Sequence, residues 1–242
     1  MAQLKANNKI SGAIGNVVFR TVNGKQIIQS KSRPIQQSDA TKISGSEFRQ
    51  CSQWAKILLN GYFSFLAGMT DSYIHGRLTA AIYKAILHNT TVPKGERTPQ
   101  NSDMSYLNGF EMNTNSLFTS YFLPEITVTP TAENQIRVSI APFEAKSAIT
   151  FPPETTHVDL LLYAMATNFD TNAQIIQSHL LLPITKNQSL PETEWIVPAP
   201  PLGYLSTINA KLLFYQPNAL TGRTDINTKQ LSPAIIVSAK NE

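Results

Sequence analysis

His157 and Asp159 stand two apart in a β-forming run that continues to Ala164. Alternate residues of a strand share a face, so this pair has the spacing of a general base and the carboxylate that orients it. The nucleophile is missing. No Gly-x-Ser-x-Gly elbow occurs in the chain, and the sequence does not show which serine would reach His157, so hydrogen bonding at a sheet edge accounts for the pair more simply. His75 and His88 are thirteen apart on a helical stretch, beyond the i, i+4 spacing that brings two imidazoles to one metal. Glu192 and Glu194 flank Thr193, and an extended backbone would hold their carboxylates roughly 7 Å apart. Two acids without a cleft and aromatic platforms do not make a glycosidase. The single cysteine, Cys51, excludes an internal disulfide and a cysteine-based zinc site, and its place on an apolar helical face marks it as a small core residue. Phosphate loops, dinucleotide fingerprints, EF-hand loops and zinc patterns are all absent. The chain is therefore expected to be non-enzymatic, with no cofactor and no metal.

Charge gives a more positive lead. The 242 residues carry a formal net charge of +4, and only 15% are charged, against about 25% in ordinary soluble proteins. Residues 1–56 hold nine basic side chains against Asp39 and Glu47, whereas the remainder is weakly acidic. Arg20, Lys25, Lys31 and Arg33 are the expected orienting charges of a partner-binding element, with Phe19 and Ile27, beside Val17 and Ile28, as its apolar anchors. A protein partner or self-assembly is the leading expectation. Nucleic acid is the alternative, using the basic residues of 1–56. Solvated lysines that protect an edge strand are the plainer account of the same charges.

The elements that must position these residues follow from pattern. Asn23-Gly24 between two β-prone runs predicts a type I′ hairpin with strands at 16–22 and 25–30. Ser44 and Glu47 fit a capping box, followed by a helical stripe of Phe48, Cys51, Ala55, Leu58, Tyr62 and Leu66, widened by Trp54 and Leu59. A second helix is expected over 71–88, with Ile74, Leu78, Ile82, Ala85 and Ile86 on one side. Residues 89–124 read as a polar connector with apolar islands, hence a loop that packs. Seven short β runs then follow, at 126–128, 135–140, 158–164, 175–182, 195–197, 211–215 and 235–237.

The N-terminal signature Gly12-x-x-Gly15-Asn16-Val17-Val18-x-Arg20-x-x-Asn23-Gly24-Lys25, followed by the segment Gln29 to Pro34, resembles the opening of a domain-of-unknown-function family of Bacteroides-type bacteria. Val158 to Tyr163 is similar to a strand in the β-rich half of those proteins. The resemblance implies a bacterial or phage source and a short basic hairpin, helical middle and β-rich end. It implies no activity, cofactor or catalytic residue.

The expected fold class is α+β: an N-terminal β-hairpin and helical hairpin with a C-terminal immunoglobulin-like antiparallel β-sandwich. The expected domains are 1–124 and 125–242. No apolar run approaches the roughly 20 residues that cross a bilayer, so no membrane span is expected. The start lacks the apolar core of a secretory signal, which predicts a chain kept in the cytoplasm or in a particle assembled there.

Overall fold

The computed structural model describes residues 2–5, 8–32 and 36–241, in two compact units, 1–42 and 43–242. The first is a four-stranded antiparallel sheet. Its strands β1 (Gln3–Leu4), β2 (Ile10–Ile14), β3 (Val17–Val22) and β4 (Lys25–Ser30) lie side by side in chain order. Asn23 and Gly24 have φ of 48° and 77°, the positive values that a type I′ turn needs. The expected hairpin is thus β3–β4, and it is extended by two strands that pattern did not show. Ile10-Ser-Gly-Ala-Ile is short and rich in small residues, which hides β2.

In the second unit, α1 (Asp39–Gly61) begins five residues earlier than the expected cap. The Ser38 hydroxyl accepts from the Thr41 amide at 3.3 Å, so Ser38 does the work assigned to Ser44. Glu47 does not cap; it is buried and accepts from the Gly95 amide at 2.7 Å. The short helix α2 (Phe63–Leu66) continues α1, and Ala67, at φ 52°, terminates it. The next helix, α3 (Ile74–Leu87), starts three residues later than expected, because Asp71 is held by other partners. Cys51, Ala55, Leu58, Tyr62, Leu78, Ile82, Ala85 and Ile86 are fully buried, as the stripe predicts, while Phe48 is half-exposed and edges onto Tyr83.

Beyond the helices, the connector packs through a 3-10 turn at Met104–Leu107, β5 (Phe110–Glu111) and α4 (Phe118–Tyr121). Then come β6 (Ile126–Pro130), β7 (Gln135–Ile140), β8 (Phe143–Glu144) and α5 (Ala145–Ala148). The long strands are β9 (His157–Asn168), β10 (Ala173–Thr185) and β13 (Leu205–Asn218). Between and after them lie β11 (Ser189–Leu190), β12 (Thr193–Pro198), β14 (Gly222–Asp225) and β15 (Ala234–Asn241). All seven expected strands are present, and most run longer than the sequence indicated.

A central antiparallel sheet has the order β10-β9-β13-β15-β5, with β14 added beside β13; a second has the order β12-β7-β6, and β11 pairs β8. The middle of the central sheet, at β9 and β13, is buried on both faces, while the edge strand β10 is largely exposed. On β9, Leu161, Tyr163 and Met165 join the core under the helices, whereas Val158, Leu160, Leu162 and Ala164 join the core shared with β7 and β12. This two-sided burial is why Leu160 to Tyr163 reads as apolar throughout. The compositional break at 124/125 separates nothing here, because the first core takes side chains from both sides of it.

One glycine sets the fit of α1 on the sheet. A Cβ on Gly61 would collide with Met165 Sδ and lie 2.9 Å from Gln174 Nε2. Met165 is fully buried, so its thioether yields only by displacing neighbours in the core. Gly61→Ala gains about 1 kcal/mol in helix propensity but incurs about 1–3 kcal/mol of overpacking. A net loss of about 1 kcal/mol is expected, read as a lower midpoint in urea unfolding; an unchanged midpoint would show that α1 sits more loosely.

Candidate functional site

The N-terminal sheet holds every partner-binding residue expected from sequence, apart from Arg33, which lies outside the described residues, and Lys31, which follows the end of β4. Directly opposed residues of neighbouring strands share a face. Val17 lies opposite Ser30 and Ile14, Phe19 opposite Ile28 and Gly12, and Leu4 opposite Ile10. These pairs make one face that is apolar and uncharged. On the other face Arg20 opposes Ile27, Val22 opposes Lys25, and Val18 opposes Gln29 and Ala13.

The structure therefore separates residues that the sequence had grouped. Phe19 lies on the face opposite Arg20, Lys25 and Ile27, because β-strand periodicity places neighbours in sequence on opposite sides. Of the four expected apolar anchors, Val17, Phe19 and Ile28 share a face and Ile27 does not, a division that a register argument through the Asn23-Gly24 turn yields.

None of the described residues in 2–42 is buried. Leu4, Ile14 and Ile28 are 70%, 58% and 64% exposed. Full burial of such side chains is worth roughly 1.5–3 kcal/mol each, so the face leaves several kilocalories per mole of apolar burial unused. Two side-chain bridges help hold the strands. Lys9 Nζ donates to Gly24 O at 2.6 Å, and the Gln26 amide both donates to Ile10 O (2.5 Å) and accepts from Ile10 N (3.2 Å). The sheet has a defined shape without a core of its own.

The catalytic candidates do not assemble. His157 Nδ1 lies 2.8 Å from the Thr156 hydroxyl, while Asp159, although on the same strand face, is buried and bonds Arg223 at 3.2 Å. Arg223 in turn lies over the Tyr215 ring at 4.2 Å. The expected His157–Asp159 bond is replaced because a full positive charge is the stronger partner for a buried carboxylate. Glu194 sits 3.8 Å from Arg137 on the adjacent strand, an exposed cross-strand pair. Burial and the nearby Glu47 push the Cys51 thiol up to about 12, which leaves it protonated and unreactive.

A buried polar row on β13 was missed by pattern reading. Thr207, Asn209 and Lys211 all face the helices. The Tyr62 hydroxyl donates to Thr207 Oγ1 at 3.0 Å, Asn209 Nδ2 donates to Tyr163 O at 3.1 Å, and Lys211 Nζ donates to Phe65 O and Leu66 O at 3.0 and 3.3 Å. Alternation along β13 was the signal, with polar residues at every second position. The row is closed over by the helices and reads as a structural lock.

Among the described residues no cluster of three His, Cys, Asp or Glu could hold a metal, and no helix is long and apolar enough to cross a membrane. No family model, curated protein or solved structure matches the chain.

Proposed function

We propose that the protein is a non-enzymatic assembly or interaction component, such as a part of a phage-like or surface-associated particle, that docks on a protein partner through its N-terminal sheet. The observation that carries this is the uncharged, mostly apolar face of Leu4, Ile10, Ile14, Val17, Phe19 and Ile28, on which Leu4, Ile14 and Ile28 are exposed and the others half-buried, in a sheet with no buried residue among those described. Such a sheet gains stability when a second surface covers it. Arg20 and Lys25, on the reverse face, would speed encounter with an acidic partner through their longer-range field. In this role the stacked sheets of the second unit serve as an immunoglobulin-like scaffold that carries the attachment element.

Nucleic-acid binding is the weaker reading. Single-strand recognition interleaves cations with aromatic stacking platforms, and the one aromatic of β3 lies on the face opposite Arg20 and Lys25.

The test is site-specific photo-crosslinking of the full chain in the cell that makes it, with the probe at Phe19 or Ile28, and at Leu220 as an exposed control in the other unit. Adducts of one discrete mass at positions 19 and 28, absent at 220 and resistant to nuclease, are expected. Adducts removed by nuclease, or equal yields at all three positions, would overturn the docking role.

A further inference from the structure

Gln53, Lys56, Ile57 and Asn60 recur at i, i+3, i+4 and i+7 on α1 and form one stripe, which faces the turn between β9 and β10 across an open groove of about 630 Å³. The opposite wall is Asn172 and Gln174. On its floor Trp54 meets Phe169 edge to face, with centroids 6.3 Å apart. All of these residues lie within the unit 43–242.

The groove is built before any ligand arrives. Asn168 Oδ1 accepts from the amides of Asp170 and Thr171, both at 3.0 Å, which fixes the turn. Asn172 sits at φ 57°, a left-handed conformation that asparagine tolerates. Gln174 Nε2 donates to Ile57 O and clips the two walls together. Ligand sites are pre-formed hollows of ~300–1,000 Å³ with a few convergent polar groups. This groove lies in that range.

Its lining selects a ligand chemistry. Gln53, Asn60, Asn172 and Gln174 supply four carboxamides, each with donor and acceptor side by side, and no carboxylate lines the groove. Paired donors and acceptors match vicinal hydroxyls, and the indole of Trp54 offers an apolar face to the C–H groups of a sugar ring. Lys56 is the one cation in the lining, too little charge for a di- or triphosphate. A helix–sheet seam that served packing alone would be filled with apolar side chains, as the rest of the core under α1 is.

We propose that this groove binds a short neutral saccharide, held by the four carboxamides and seated on Trp54. The chain has two tryptophans, and the other, Trp195, belongs to the core on the far side of the central sheet. Their indole N–H signals therefore separate groove binding from general perturbation. The experiment titrates the ¹⁵N-labelled full chain with maltotriose, cellotriose and chitotriose to millimolar concentration, with inorganic phosphate as a control anion. At least one trisaccharide should shift the Trp54 signal saturably and leave Trp195 in place. Asn60→Ala and Gln53→Ala, both at exposed positions, should each weaken that binding about tenfold, the loss of one hydrogen bond, without altering the rest of the spectrum. Absence of a saturable Trp54 shift with all three sugars, a shift caused by phosphate alone, or affinity unchanged in both variants would overturn the proposal.

Discussion

Asp71→Ala is expected to lower the unfolding free energy by about 3 kcal/mol, toward the low end of the ~3–5 kcal/mol lost when a buried ion pair is broken. The Asp71 carboxylate is ion-paired to the Arg77 guanidinium, and it also accepts from the amides of Tyr73 at 2.8 Å and Thr114 at 3.0 Å. Arg77 donates onward to Glu111 O at 2.7 Å and lies over the Phe110 ring at 5.0 Å. One carboxylate thus ties the start of α3 to the connector that carries β5. Its removal strands a guanidinium and two amides. The low end applies because the Arg77 side chain keeps 27% of its surface in water, against 5% for Asp71.

Burial raises the Asp71 pKa, but the bonds from Thr114, Arg77 and Tyr73, with the Arg77 charge, outweigh it and hold the carboxyl below its ordinary value. A depressed folded pKa contributes stability that is complete above the unfolded value of about 3.9 and is lost as pH falls through the folded value. The gap between wild type and Asp71→Ala should therefore be constant near neutrality and close below about pH 4. Urea melts across that range measure it. A gap that persists unchanged at pH 2, or a loss well under 1 kcal/mol at pH 7, would show that the carboxylate is not the tie described.

Lys211→Ala carries the other large effect, about 2–5 kcal/mol. The side chain is 2% exposed, and its ammonium caps the end of α2, supplying the donor for Phe65 O and a second donor for Leu66 O. Truncation leaves a cavity and strips Phe65 O of its donor, while Leu66 O keeps the Met69 amide at 3.0 Å. Lys211→Met keeps the stem volume and loses only the donor, so it should cost less, about 1–3 kcal/mol. Desolvation lowers the Lys211 pKa, partly countered by the charge of Asp225. The unfolded chain therefore holds its proton to higher pH than the folded one. Stability from this residue rises as pH climbs from the folded pKa to the unfolded value of about 10.4, and falls back as pH drops through the folded pKa. Relative to Lys211→Met, wild type should gain with rising alkalinity over that window. A constant difference from pH 7 to pH 11 would contradict the buried placement.

Where one side chain periodicity governs an element, the sequence was sufficient. The stripe through Cys51, Ala55, Leu58 and Tyr62 and the turn at Asn23-Gly24 are local signals; the turn and the buried helical face stand where pattern placed them, while the start of the helix lies five residues earlier. Elements defined by their partners were less readable. The two-residue strands β5, β8 and β11 exist through pairing with distant segments, and nothing in Phe110-Glu111 alone announces a strand. The first half of β13, Leu205-Ser-Thr-Ile-Asn-Ala, looks polar, and the partners that let Thr207 and Asn209 be buried, Met165 O and Tyr163 O, lie tens of residues away. At the candidate docking site, residue types were readable and their grouping was not. Charge and apolarity along residues 17–30 pointed to a surface element, but which side chains share a face depends on strand register, which places Phe19 with Ile28 and Arg20 with Ile27. The groove beside α1 was invisible for the same reason, as its two walls are more than 100 residues apart.

The polar positions of β13 bear on how this chain avoids mispairing. In a sheet with one wet face, a strand that slips by one residue exposes its apolar side chains and is rejected by water. The middle of the central sheet here has two dry faces, so a slipped β13 would merely trade one oily environment for another, and hydrophobicity alone would not penalise the error. Thr207, Asn209 and Lys211 remove that degeneracy. A one-residue shift would drive an ammonium and an amide into the layer lined by Val138, Val197 and Leu160, where no acceptor row awaits them. Most such polar groups in a core weaken it; in this fold they act as a key that admits a single alignment of the strands.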